Sequence, residues 1–504
     1  MSEKEQQAVL DYQSSAAASV AADQPDPNDP YSIYASDAVD PPRALGGMLR
    51  QVGPGLILAG AIVGTGELIA TTQVGAQVGF TLLWLVALSC VIKVFVQVEL
   101  GRYTISSGHT TMRSFRELPG PGLLVGGIWV VMMLATQLQL GAMVGGVGQA
   151  FHMAMPSVSP HAAWAVGKVN AGWGTYLAGR PEIFWAFFVT IGTVATLARG
   201  SYRVIETGTT AMVVAFTIVT VICVLLLPRS GHPIDWAAVG GGLTFSLPSS
   251  PDAMKAALAM IGITGVGAAE LVAYPYWCIE KGYARKAGLR TSGDPAWPDR
   301  ARGWMRVMRL DAWVSCALYT VSTLAFFFLG AAVLHGLDAK SLPQNVSDML
   351  VTLSKMYQPV MGPSAALWFI VIGVFAVLYS TLFASTGANS RALTDYLRVN
   401  RWVAFTPQRD RMWWVRLFCV AFPILDFFLF VWIGNPLAMV TIGGIAQAMT
   451  LPLLAAAAVY LRYRRTDRRI TPGKVWDAFL WVSLAGMTLA AGVGLWTTVA
   501  KAMK

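Results

Sequence analysis

The sequence predicts an all-α integral membrane protein of about eleven transmembrane helices. Three observations carry this. Hydrophobic residues make up 55% of the 504-residue chain and charged residues only 13%, about half the share of a soluble domain. Apolar runs of bilayer length, roughly 20 residues at 1.5 Å each, recur along the chain. Lysine and arginine collect in every second connection between those runs.

The expected spans are 53–72, 80–101, 122–150, 182–199, 204–227, 254–279, 307–334, 364–388, 413–433, 436–461 and 476–499. Tryptophans 84, 129, 185, 277, 368 and 476 fall near span ends, as an interfacial belt requires. With the amino terminus inside, the cytoplasmic connections hold about two dozen Lys and Arg against roughly six outside. The net charge of +10 is therefore a topology signal, and no nucleic-acid partner is expected. Residues 1–46 are polar and rich in Pro and Asp, and are expected to form a disordered cytoplasmic tail. Residues 47–504 form the transmembrane domain. Cys90, Cys223, Cys278, Cys316 and Cys419 lie in or beside apolar segments without metal-ligand spacing, and read as buried apolar residues. The connection 152–181 is long and should cover the bundle from outside.

The most informative feature is a near-repeat. The first span contains Gly64-Thr65-Gly66-Glu67-Leu68-Ile69-Ala70, and the sixth contains Gly265-Val266-Gly267-Ala268-Ala269-Glu270-Leu271-Val272-Ala273. Glycine pairs loosen a helix, and freed carbonyls can ligate a cation where they line a cavity. A carboxylate at mid-membrane costs at least about 2.5–3.5 kcal/mol and so faces a cavity, an ion or a partner. Matched breaks five spans apart mark an inverted-repeat transporter with its site between them. The expected site residues around the two breaks are Gly64, Thr65, Gly66, Glu67, Gly267, Ala269 and Glu270, with Gln447 of the tenth span facing them.

At these residues the chain resembles the natural resistance-associated macrophage protein (Nramp) family of divalent-metal transporters. The resemblance rests on Gly53-Pro54-Gly55, on Gln73-Val74-Gly75-Ala76-Gln77-Val78-Gly79-Phe80, and on Gln97 with Leu100-Gly101-Arg102 and Ser107-Gly108. Tyr379-Ser380-Thr381 and Leu451-Pro452 are similar to the family's eighth and tenth helices; the resemblance adds Ser380 to the expected site and implies Glu67 and Glu270 as its metal ligands. It implies the LeuT-like fold, two inverted five-helix repeats with broken helices 1 and 6. The family's Asp-Pro-Gly-Asn signature falls on Gly64-Thr65-Gly66-Glu67, and its Met-Pro-His on Ala269-Glu270-Leu271. The metal-binding Asp, the soft Met and the His are thus replaced. The acidic third-helix positions fall on Ala135-Thr136-Gln137-Leu138-Gln139-Leu140.

Carboxylates in place of a thioether favour hard ions such as Mg²⁺ and Mn²⁺. The function expected is a secondary transporter or facilitator of a divalent cation, without a cofactor, as a monomer in a bacterial inner (plasma) membrane. The alternative keeps the fold and carries an amino acid, amine or other small organic solute, to which Tyr274, Tyr276 and Trp277 would offer cation–π contact, although interfacial anchoring is the role expected of them. An enzyme is not expected, because His109, His152, His161, His232 and His335 fall in connections or at span ends without a nucleophile. Lys93 and Glu99 are expected to snorkel toward the cytoplasm beside Arg102, and Asp311 to balance the basic connection before it. Gln137 and Gln139 suit hydrogen bonds between helices. Asp426 has no assigned role.

Overall fold

The computed structural model describes residues 31, 33 and 37–502, except 65, 121, 200–201, 231–232, 249–252, 255–256, 258–260, 263, 289, 291–293, 336–350, 352–353 and 404–407. Among the described residues the regular structure is helical throughout. The main helices are α1 (Pro54–Ile62), α2 (Thr72–Val78), α3 (Leu83–Ser107), α4 (Gly122–Ala154), α5 (Glu182–Arg199) and α6 (Tyr202–Leu226). They continue as α7 (Ala268–Glu280), α8 (Trp297–Leu329), α9 (Pro363–Val399), α10 (Gln408–Ile433), α11 (Pro436–Arg464) and α12 (Lys474–Ala502). Seven described helices are long and apolar enough to cross a bilayer, or eight if Ala171–Gly179 and Glu182–Ala198, bent by 93°, count as one span. The first span fails that test because it is in pieces: α1, a π-helical stretch Gly66–Thr71, then α2.

Two groups of helices meet along α9. Helix α4 is the hub of one, packed by α5, α9, α10 and α11. Helices α1, α3, α7 and α8 form the other. Leu225, Val131, Ile372 and Leu489 are at least 64% exposed, an apolar outer surface that water would not tolerate and lipid tails would.

The structure departs from the expected tryptophan belt and adds local detail elsewhere. Trp129 and Trp277 are buried in the bundle rather than placed in a belt, while Trp368 is exposed. The connection after α4 holds two short helices, Val158–Val169 and Ala171–Gly179, packed on each other. The described part of the amino-terminal segment is fastened before residue 46: Asp37 pairs with Arg285 at 2.8 Å, and Val39 N–H donates to the Lys286 carbonyl. All five cysteines are buried and unbridged.

Candidate substrate site between the two broken helices

Each break frees backbone groups, and the site is built from what satisfies them. In the first break Gly64 N–H turns back to the Ile62 carbonyl (2.7 Å), so Gly60 O loses its helical partner. The hydroxyls of Ser380 and Thr381 on α9 lie 3.3 and 3.2 Å from that oxygen. A Cβ on Gly64 would sit 2.5 Å from Thr381 Oγ1, so only glycine lets α9 approach the break. Thr65 lies outside the described residues, and Gly66 opens the π-helical stretch. A single turn of π-helix inside a span is common at functional positions.

In the sixth span the chain leaves helical geometry at Gly265, whose φ of +65° favours glycine. Three side chains hold this break open. Gly265 N–H donates to Glu67 Oε1 at 3.0 Å. Ala269 N–H donates to Gln447 Oε1 at 3.3 Å. Lys93 Nζ donates to the carbonyls of Ile261 and Thr264, the latter at 2.7 Å.

Glu67 is fully buried. Its Oε1 also lies 3.2 Å from Thr323 Oγ1, while its Oε2 has no hydrogen-bond partner among the described residues. Glu270 sits in the first turn of α7, where a negative charge is favoured by the helix dipole. It lines a cavity of about 30 Å³, room for one or two water-sized groups. The other polar walls are Thr136 and Gln139 of α4, Thr381, Ser385 and Asn389 of α9, and Gln447 of α11. Ala269 is on the wall, and the Met143 thioether is the one sulfur there. Gln447 Nε2 donates to Gln139 Oε1 (2.9 Å), which fixes both amides. Gly267 stands behind this group: a Cβ there would lie 2.3 Å from Gln447 Oε1 and 2.5 Å from Glu270 Oε2.

Of the expected residues, Ala269, Glu270 and Gln447 meet at the cavity. Gly64 and Ser380 support the first break, and Gly267 supports the second. Glu67 is not on the cavity wall but behind it, bonded to the backbone of the sixth span. Among the described residues no group of three or more His, Cys, Asp or Glu is arranged as a metal site. The chemistry of the cavity is thus one carboxylate, neutral oxygens and one thioether.

The profile described as "Natural resistance-associated macrophage protein-like" matches residues 55–497. The chain belongs to the Nramp-like family. Among curated relatives, the divalent metal cation transporter MntH of Deinococcus radiodurans is 24% identical over 344 residues, 68% of this chain and 68% of that protein. MntH of Granulibacter bethesdensis is 22% identical over 325 residues, 64% of this chain and 63% of that protein. The crystal structure of a manganese transporter variant from Eremococcus coleocola superposes with a TM-score of 0.63 at 14% identity, over 91% of this chain and 90% of that one. MhsT in complex with L-phenylalanine superposes at 0.56 and 17%, over 92% and 99%. The fold of this Nramp-like chain is therefore LeuT-like, and the protein is a multi-pass membrane protein.

Several residues carry more than the sequence indicated. Lys93 does not snorkel: it is fully buried, and its ammonium is seated in the sixth-span break within electrostatic range of Glu67 and Glu270. Glu99 is buried too, paired with Arg102 at 2.9 Å and accepting from Trp476 Nε1 at 2.6 Å. Asp311 is fully buried and caps α1, accepting from Gly53 N–H (2.8 Å), Gly55 N–H (2.7 Å) and Tyr274 O–H (3.0 Å). Tyr274 and Tyr276 are neither belt residues nor on the cavity wall; Tyr276 O–H donates to Asp395 at 2.7 Å. Gln137 Oε1 accepts from Asn389, and Gln139 Nε2 reaches the Val440 carbonyl, so both amides do link helices. Both carboxylate oxygens of Asp426 are buried without a partner among the described residues, and nothing in the structure explains this. The available signal for Lys93 was its depth, ten residues into a 25-residue helix, too far for its stem to reach water.

Proposed function

We propose that this Nramp-like protein moves a divalent cation, with Mn²⁺ and Mg²⁺ as the leading substrates, through the cavity between the two breaks. Glu270 is the carboxylate ligand in this reading, and Gln139, Gln447, Asn389 and the α9 hydroxyls supply neutral oxygens. Glu67 adds negative charge from behind the wall, Gly64, Gly66 and Gly267 shape the breaks, and Ser380 anchors the first. The observation that carries the reading is the cavity itself, which has a carboxylate at a helix amino terminus facing amide and hydroxyl oxygens from α4, α9 and α11. Hard divalent ions need only one or two carboxylates and keep several waters. The Met143 thioether on the same wall favours Mn²⁺ over Mg²⁺.

Size weighs against the organic-solute alternative. A cavity of about 30 Å³ is an order of magnitude below the roughly 300 Å³ at which small-molecule pockets begin. The reading also places the amino terminus in the cytoplasm, the protein in a plasma membrane, and the monomer as the working unit. Uptake of Mn²⁺ or Mg²⁺ into proteoliposomes, followed with a fluorescent indicator, tests it. Flux that is saturable and lost in Glu270→Gln is expected. Absence of divalent flux under any gradient, with amino-acid or amine uptake in its place, sinks it.

A further inference from the structure

Lys93 answers a question that the break in the sixth span poses. In an unbroken helix the Ile261 carbonyl would accept from Gly265 N–H. Here that N–H goes to Glu67 and that carbonyl goes to Lys93, so two side chains take the two halves of one backbone hydrogen bond. The Thr264 carbonyl, one turn from its own lost partner, turns to the same ammonium at 2.7 Å. Converging carbonyls of an unwound membrane helix, with carboxylates nearby, make a cation position. Lys93 Nζ stands in that position, without access to solvent.

We propose that Lys93 is a tethered cation: its ammonium occupies a monovalent-cation position formed by the Ile261 and Thr264 carbonyls and backed by Glu67 and Glu270. The chain thus carries covalently a charge that it would otherwise draw from solution as Na⁺ or K⁺. The broken sixth span stays open in the absence of either ion, and transport does not depend on them. This goes beyond the choice of transported ion and does not rest on it.

The test is thermal unfolding of the purified full-length protein at constant ionic strength, with N-methylglucamine chloride exchanged for NaCl or KCl. The wild-type midpoint does not respond to the exchange. Lys93→Ala unfolds earlier in N-methylglucamine and recovers by about 2 °C or more at 100 mM Na⁺ or K⁺, saturably, because a bound ion stabilises by mass action. Lys93→Gln separates a cation from a mere donor, since it carries neutral N–H groups on a stem one bond shorter and removes the charge. A Gln variant that is destabilised and rescued by Na⁺ or K⁺ supports the proposal, and decides alone if the Ala variant cannot be purified. A saturable response in the wild type overturns it. So does a Gln variant that matches the wild type in midpoint and in indifference to salt, or a folded Ala variant that no monovalent cation stabilises. These readouts use no divalent ion, so their failure is separate from failure of the proposed transport.

Discussion

Replacing Glu67 in two ways separates its charge from its architecture. In Glu67→Gln the side-chain carbonyl keeps the place of Oε1 and still accepts from Gly265 N–H, now 3.0 Å away. The new amide nitrogen replaces Oε2, which has no partner among the described residues to lose. Shape and the backbone bond survive, and the loss is limited to a buried amide N–H₂ without an acceptor and a weaker counter-charge for Lys93, about 1–3 kcal/mol in unfolding free energy. Glu67→Ala deletes the acceptor. Gly265 N–H is then buried and unpaired, which costs about 1–3 kcal/mol. Thr323 is spared, because its hydroxyl also reaches the Tyr319 carbonyl at 2.7 Å. The space left by four heavy atoms adds roughly 1–2 kcal/mol. The Ala variant, which loses the same counter-charge, should therefore be less stable than the Gln variant by about 1–3 kcal/mol, a drop of several degrees in melting midpoint in detergent. Uptake should fall strongly in both, since both lose the charge behind the cavity. An Ala variant that melts with the Gln variant would show that Glu67 does not hold the sixth-span break. A Gln variant that transports at the wild-type rate would show that its charge is not used.

Glu270→Gln should abolish most divalent uptake while leaving the melting midpoint within about 1 kcal/mol, because the residue faces the cavity; wild-type flux would refute its role as ligand. Gly267→Ala puts a methyl 2.3 Å from Gln447 Oε1 and should cut uptake at least tenfold, with full activity counting against the packed wall. Asp311→Ala strands the N–H groups of Gly53 and Gly55 at the start of α1, and a loss of about 2–4 kcal/mol in unfolding free energy is expected; an unchanged midpoint would remove the cap from the account. Metal entry should proceed without internal acidification in proteoliposomes loaded with a pH dye. The resemblance implies proton movement on the family's third-helix acids and sixth-helix His, and those positions fall here on Gln137, Leu140 and Leu271, none of which titrates near neutral pH. Acidification that tracks metal entry and vanishes in Glu67→Gln would reverse that expectation.

The sequence by itself determined the solvent and the plan. Apolar runs of bilayer length and alternating basic connections required a helical membrane bundle, since lipid leaves every backbone group to be satisfied within the chain. The paired glycine breaks at Gly64 and Gly265 located the interruption of that rule, and Glu270 beside the second break was legible as a ligand candidate. Only the tertiary structure decided which side chains pay back the broken backbone bonds. Glu67 looked equivalent to Glu270, yet it is turned to Gly265 N–H, 198 positions away in the chain, and stays behind the cavity wall. Lys93 and Asp311 read as residues near membrane ends because a charge in a helix is judged from its own neighbours. Their partners, the Thr264 carbonyl and the amides of Gly53 and Gly55, lie 171, 258 and 256 residues away. Burial of a charge is settled by what converges on it in space, and one-dimensional spacing carries no record of that convergence.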